Sequence, residues 1–449
     1  MGIETTSVVK LLVISHCFPP DAQVGGLRVT EFCRYLPEFG IQPIVLTIDD
    51  KYRLRLDQTF SPVAGLHVER TEVEATRMDW YRRSKALLGV GGNSSQPAKV
   101  SPVTPAREGL LRRNLITLLQ FPGPDSGWYR PAIRAAEKLI WEESIAGIIS
   151  SSPPVVSHRI ARHLKEKFNL PWLADFRDPW TAPQHRDKPA WWRRANQRME
   201  SRCVRATDRV ICNTELIRQE FLRSYPDLPQ QKFLTLTNGY VTFPGASLKL
   251  ANAGNQILLL HVGDIYRLRR IDTFCIAVEK LLKAGKLDAT KFRIVLLGTT
   301  EPKLEAAARE AAPELFGNGC VEFRNRVDRD EALRALWQAD LLLLFQGGHV
   351  LQIPAKFYEY LSTGKPIFAV AQKGALTDLL EETGAGIWAD SEKPDEIAAG
   401  LLRALALPSF SPGEVQQRWY ERFHYRSLTA RLAACFHDLA AARETHPRT

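Results

Sequence analysis

Short apolar runs of strand length alternate with amphipathic helical runs along most of the chain, and they do so in two separate series. This rhythm constrains the fold more than any other feature, because alternating strands and helices close into parallel sheets with helices on both faces. The first series opens with Val8–Ser15 and Pro43–Ile48. Between them Val29, Phe32, Cys33, Leu36 and Phe39 lie at helical spacing, which predicts a helix over Arg28–Phe39 and so a βαβ unit. Further strands are predicted at Gly147–Ile149, Trp172–Ala174, Arg209–Cys212 and Phe233–Leu236. The second series predicts strands at Gln256–Val262, Phe292–Leu297, Val321–Phe323, Leu341–Phe345, Pro366–Val370 and Gly386–Trp388, with helices at Ala332–Ala339 and Phe357–Leu361. The expected fold is therefore α/β, with two tandem doubly wound, Rossmann-like domains at 1–243 and 256–411 and a turn-prone linker at 244–255. Beyond Pro412 a long helical pattern, Val415–Ala442, has no strand after it.

The chain has 449 residues, 45% of them hydrophobic and 24% charged, which excludes disorder and fibre and leaves room for two or three cored domains. Lys and Arg number 60 against 50 Asp and Glu, for a net charge of +10, so an anionic partner is expected. Between 77 and 134, ten basic residues face three acidic ones, so an irregular segment of the first domain carries +7 of that excess. Its pieces Trp80–Leu88 and Leu110–Leu119, like Trp191–Arg198 further on, mix arginine with tryptophan or leucine. They point either to docking on an anionic membrane surface or to solvated loops. A basic nucleic-acid-binding protein would also account for the charge, yet no nucleic-acid module is present, and no nucleic acid is expected as a partner. The seven cysteines are dispersed without metal spacing, as in a cytoplasmic protein with reduced thiols. No run approaches a membrane span, and the first apolar run is too short for a signal peptide, so the chain is expected to be neither secreted nor membrane-spanning.

Three groups of residues carry candidate chemistry. Gly25 and Gly26 precede the first helix, where adjacent glycines let backbone N–H groups approach an anion. They would equally serve a plain turn. The run Gln352–Leu361 places Pro354 at a helix start and Lys356 in its first turn, where the helix dipole disfavours a cation unless an anion shares that end. Glu359 is three residues on and on the same face, so the pair suits a diphosphate and a ribose, or else forms a surface ion pair. Finally Gly263, Arg267, Arg269 and Arg270 follow the first strand of the second domain, at the sheet edge where open α/β sheets bind ligands. Asp328-Arg-Asp330 has the spelling of a metal-nucleotide motif, but its place before a helix reads as a cap.

Taken together, Phe18-Pro-Pro with Gly25, Gly26 and Arg28, then Trp172–Trp180, Asn213-Thr-Glu215, Asn238-Gly239, Gly263 with its arginines, Gly298 and Ile353–Tyr360 resemble the family 4 (group 1) glycosyltransferases of GT-B fold. The resemblance implies two domains facing a cleft, a nucleotide diphosphate-sugar donor on the second and a sugar or lipid-linked acceptor on the first. It also implies retention of anomeric configuration, no metal and no other cofactor, and a C-terminal helix, 412–449, packing back on the first domain. Arg270, Lys356 and Glu359 would be catalytic, with Gly263, Arg267, Arg269, Gly298, Ile353, Pro354 and Tyr360 binding donor. Gly25, Gly26, Arg28, Asp175, Arg177, Asp178 and Asn238 would face the acceptor or the phosphates. The chain departs from the family at Leu351, where many members carry a glutamate eight residues before Glu359, and at Ser151-Ser-Pro153, where many carry a histidine. These features imply a role in cell-envelope polysaccharide or glycolipid synthesis, in the cytoplasm or peripherally on the inner membrane face. A nucleotide-sugar epimerase of the same fold is the neighbouring reading, and it would need no acceptor.

Overall fold

A computed structural model describes residues 8–21, 24–53, 56–57, 63–87, 110–181, 188–243 and 256–445. The first domain holds strands β1 (Val9–Ser15), β2 (Ile41–Ile48), β3 (His67–Thr71), β4 (Gly147–Ser152), β5 (Trp172–Phe176), β6 (Arg209–Cys212) and β7 (Phe233–Thr235). They form one parallel sheet of seven strands in the order β3-β2-β1-β4-β5-β6-β7. The second domain holds β8 (Ile257–Val262), β9 (Phe292–Leu297), β10 (Val321–Arg324), β11 (Leu341–Gln346), β12 (Ile367–Ala371) and β13 (Gly386–Asp390). These six are also all parallel, in the order β10-β9-β8-β11-β12-β13.

Both sheets are doubly wound because their central strands are apolar on both faces. On β1, Leu12 and Ile14 enter the core beneath helices Tyr129–Glu143 and Val156–Phe168, while Leu11 and Val13 point to the opposite layers. Likewise Leu341, Leu343 and Phe345 of β11 serve one core of the second domain, and Leu342 and Leu344 the other. The strand missed in the sequence, β3, is an edge strand of mixed polarity, His-Val-Glu-Arg-Thr, with little apolar pattern to find. The expected linker at 244–255 and the stretch 89–105 lie outside the described residues. The described cysteines are all free thiols, buried except for the half-buried Cys435. No helix among the described residues is long and apolar enough to cross a membrane.

The helical pattern after Pro412 resolves into two helices, Pro412–Phe423 and Tyr425–Thr445, separated at His424, whose backbone is extended. Val415, Trp419 and Phe423 of the first pack on the second domain beside Leu342 and Tyr358. Tyr425, Leu428, Leu432 and Phe436 of the second pack on the first domain, against Leu11, Ile149 and Leu173. The helix expected to return as one piece over 412–449 is thus broken at the crossing. The break is stitched to the first domain by Tyr240 N donating to Phe423 O and Tyr425 N donating to Tyr240 O, each at 2.9 Å.

Candidate functional site

The carboxyl ends of the two sheets face one another, and the site is built from the loops there. In the second domain, helix Ala355–Ser362 is fixed from below by Phe357, Tyr358 and Leu361, all buried. Tyr360 is buried too, and its hydroxyl accepts from Val262 N at 2.8 Å, which ties the helix to the end of β8. Ile353 is a core residue and Pro354 is the N-cap, one position before the first helical residue expected for it. Tyr360 and Ile353 therefore shape the site from beneath.

Lys356 stands in the first turn of this helix, half-buried, with its Nζ 3.5 Å from His261 Nε2. The other ring nitrogen of His261 lies 2.8 Å from Leu343 O, so it carries the proton and Nε2 is left as an acceptor toward the lysine. Burial, followed by the positive Lys356, holds His261 well below its usual range, so the ring is uncharged. Lys356 itself is lowered to about 7, by burial first and then by Arg269, against the raising influence of Asp264 and Glu359. Its ammonium lies against Gly263, whose φ of 119° suits only glycine, and whose Cβ, if present, would run into Nζ. Gly298, at φ 143°, lets its strand end pass against Gly263 O in the same way.

Of the three arginines after β8, the structure brings Arg269 to Lys356 and turns Arg270 away. Arg270 forms a two-point pair with Asp272, at 2.9 Å through both Nε and Nη2, and reaches Glu392 at 2.6 Å. It thereby steadies the start of helix Ile271–Lys283 and is not gathered with the other two residues expected to be catalytic. Arg269 donates to Asp264 O and stacks 4.3 Å over the Tyr266 ring. Arg267 is exposed, with a left-handed backbone. Glu359 pairs through Oε1 with Arg329 at 2.9 Å. Arg329 also feels Glu31 of the first domain, and the two carboxylates hold its charge firmly. No sequence signal marked Arg329, because its partners come from other segments. Its neighbour Asp328 is the expected cap, accepting from Glu331 N at 2.8 Å.

On the opposite wall Gly25 and Gly26 lie within the first turn of helix Val24–Tyr35, which starts earlier than predicted. A Cβ on Gly25 would strike the Arg177 guanidinium, so this glycine is what admits Arg177 to the helix end. Arg177 donates to Pro153 O and keeps a buried Nε without a partner. Asp178 accepts from Gln352 Nε2 at 2.6 Å, across the cleft, and burial raises its pKa despite Arg177 and His349 nearby. Arg28 and Asp175 are placed differently. Arg28 is 1% exposed, pairs with Asp175 at 3.0 Å and donates to the carbonyls of Leu236 and Thr237, while Asp175 also accepts from Ser151 Oγ at 2.8 Å. That pair locks helix Val24–Tyr35 to β5 and the end of the first sheet. Asn238 is buried, two residues before Tyr240 at the crossing.

The loop that replaces the family's first glutamate, Gly347–Leu351, is braced by Gln346 Nε2, which donates to His349 O at 2.7 Å and Gln352 O at 2.8 Å. Leu351 packs into the first-domain core, and its carbonyl accepts from Thr214 Oγ1 at 2.7 Å. At this position the chain has an interdomain contact in place of a charged side chain.

Residues 256–406 match the family of glycosyl transferases group 1. No curated protein matches the chain. Among solved structures, sucrose-phosphate synthase from Thermosynechococcus elongatus is similar over 97% of this chain and 100% of its own, at 14% identity and a TM-score of 0.64. Anabaena HepE, in complex with UDP and glucose, is similar over 96% of this chain and 100% of its own, at 13% identity and a TM-score of 0.58. The lipopolysaccharide outer core galactosyltransferase WaaB in its apo form covers 96% of this chain and 100% of its own, at 10% identity and a TM-score of 0.59. The second domain is a group 1 glycosyl transferase domain, and the chain that carries it is a glycosyltransferase of the GT-B fold.

Proposed function

We propose that the enzyme moves a sugar from a nucleotide diphosphate-sugar on the second domain to an acceptor on the first, with retention of anomeric configuration and without a bound metal. The observation that carries this reading is Lys356. Its ammonium is held at a helix N-terminus beside Arg269, with an uncharged histidine as its near partner, and burial followed by Arg269 lowers its pKa to about 7. A diphosphate at that point supplies the missing anion. As the bond from sugar to phosphate breaks, negative charge grows on the leaving diphosphate, and fixed cations aimed at it lower the barrier without reorganising. Lys356 and Arg269 fill the role that a divalent ion plays elsewhere, which supports the metal-independent reading. Glu359, oriented by Arg329, presents its second oxygen to ribose hydroxyls. Arg177, Asp178 and the helix end at Gly25 and Gly26 form the acceptor wall.

Retention rests on the resemblance of the motif series. HepE, crystallised with UDP and glucose and with UDP-glucose, supports the donor class. The lipopolysaccharide galactosyltransferase supports a place in cell-envelope polysaccharide or glycolipid synthesis, with the protein cytoplasmic and peripheral on the inner membrane face. The test is a thermal-shift panel of nucleotide diphosphate-sugars, followed by release of nucleoside diphosphate from the one that stabilises best. Arg269→Ala and Glu359→Ala should each cut release by orders of magnitude while leaving the fold intact. Unchanged release in both variants would sink the assignment.

A further inference from the structure

The loop Gly347–Leu351 carries no acidic side chain, and the groups gathered around it are basic. Gly347 and Gly348 seat this loop directly on Leu268: a Cβ on Gly347 would run into Leu268 O, and one on Gly348, at φ 71°, would meet the Leu268 side chain. Leu268 stands between Arg267 and Arg269 in the chain, so the contact brings His349 within the field of both arginines. Arg267 is held at φ 57°. The other two described non-glycine residues at positive φ, Ser144 and Asn169, each cap a helix, whereas Arg267 lies in the turn after β8. An arginine kept in that costly conformation marks a demand on where its side chain lies.

The carboxylates of the neighbouring loops are engaged elsewhere. Asp264 pairs with Arg326 at 2.5 Å and accepts from Thr299 N, while Asp272 and Glu392 hold Arg270. Among the described residues neither Arg267 nor Arg269 pairs with a carboxylate; Arg269 donates to the Asp264 carbonyl, and both guanidinium groups flank the Tyr266 ring. Across the cleft Asp178 faces His349, but it already accepts from Gln352 Nε2, and burial raises its pKa. With the ribose at Glu359 and the diphosphate at Lys356 and Arg269, the donor's sugar extends on past Arg269, toward Arg267, His349 and the acceptor wall at Asp178. A neutral hexose presents hydroxyls, which a carboxylate holds well by accepting. This end of the site presents hydrogen-bond donors and positive charge instead, which match an anion.

We infer that the donor's sugar is a hexuronate, and that Arg267 and His349 receive its carboxylate, which binds and takes no part in bond making. This rests on the nucleotide diphosphate-sugar reading above and specifies the sugar. Calorimetric titration of the full chain with matched donors tests it, UDP-glucuronate against UDP-glucose and GDP-mannuronate against GDP-mannose, with UDP and GDP titrated in parallel. Within the pair whose base is accepted, the uronate should bind at least about tenfold more tightly, because each matched pair differs only at the carboxylate. Arg267→Gln should reduce that ratio about tenfold, and His349→Glu should turn it toward the neutral sugar; melting curves establish that each variant is folded. A neutral sugar bound as tightly as its uronate, or rejection of both uronates, overturns the inference. So does an unchanged ratio in either folded variant, since an equal loss for both sugars places the side chain on the diphosphate. If UDP, GDP or a neutral nucleotide-sugar binds without a preference for the uronate, this inference fails alone. If none of the six compounds binds, the donor reading fails with it.

Discussion

Donor binding should draw a proton into the site. Lys356 is lowered to about 7 from an ordinary value of 10.5, chiefly by burial and by Arg269. The charged groups around it are Arg269 and Asp264 from the loop after β8, Arg326 from the loop after β10 and Glu359 from its own helix, and His261 contributes none because its ring is neutral. A diphosphate settling against the ammonium raises its pKa again, so the bound state holds the proton more tightly than the free state. Affinity is then full below the free-state value and declines as pH rises through it. At about pH 8 roughly one free molecule in ten is already protonated, so Kd should rise about tenfold between about pH 6 and about pH 8. The probe is a nucleotide diphosphate-sugar, whose phosphates are all esterified and keep constant charge there, whereas a free terminal phosphate titrates near pH 6 itself. Calorimetry in two buffers of different ionisation heat should give an uptake approaching one proton at the upper pH. Lys356→Arg should bind with a flat pH profile, and Lys356→Met should bind weakly and equally flatly. A flat wild-type profile, or the same slope in Lys356→Met, would refute the reasoning.

Three further outcomes follow from the geometry. Arg269→Ala should lose about 10²- to 10³-fold in turnover, while Arg270→Ala, whose partners are Asp272 and Glu392, should stay within about threefold; steady-state assays of both decide whether Arg269 is the arginine that acts. Arg28→Met should cost about 3–5 kcal/mol in denaturant unfolding, since Asp175 is left buried without its cation; a loss below about 1 kcal/mol would show that the pair holds little together. Gly263→Ala should lose about 1–3 kcal/mol, because alanine is strained at φ 119°. It should also weaken the donor complex, because the new methyl displaces Lys356 Nζ. Melting curves with and without nucleotide-sugar separate the two effects.

The sites differ in how far they could be read. Lys356 and the glycines at 25 and 26 announced themselves because each breaks a local rule, a cation in a first turn or glycine where a helix begins, while Glu359 followed from its spacing to Lys356 and Gly263 from its place at a strand end. Arg28 and Asp175 stood in the right motifs, yet they are buried and serve each other, which no spacing along the chain discloses. Arg329 was silent, since its carboxylates come from helix Ala355–Ser362 and from the first domain.

By itself the sequence determined the two parallel sheets, because strands apolar on both faces with helices between them have few other ways to bury their side chains. It also determined that most of the excess positive charge sits in one segment of the first domain, since charge is a property of composition. Tertiary structure alone decided which of the three arginines after β8 stands beside Lys356, where the C-terminal helix breaks to cross between domains, and which motif residues face the cleft. Those choices depend on side-chain direction and on partners far away in the chain, and a one-residue step around a loop or helix is enough to reverse them.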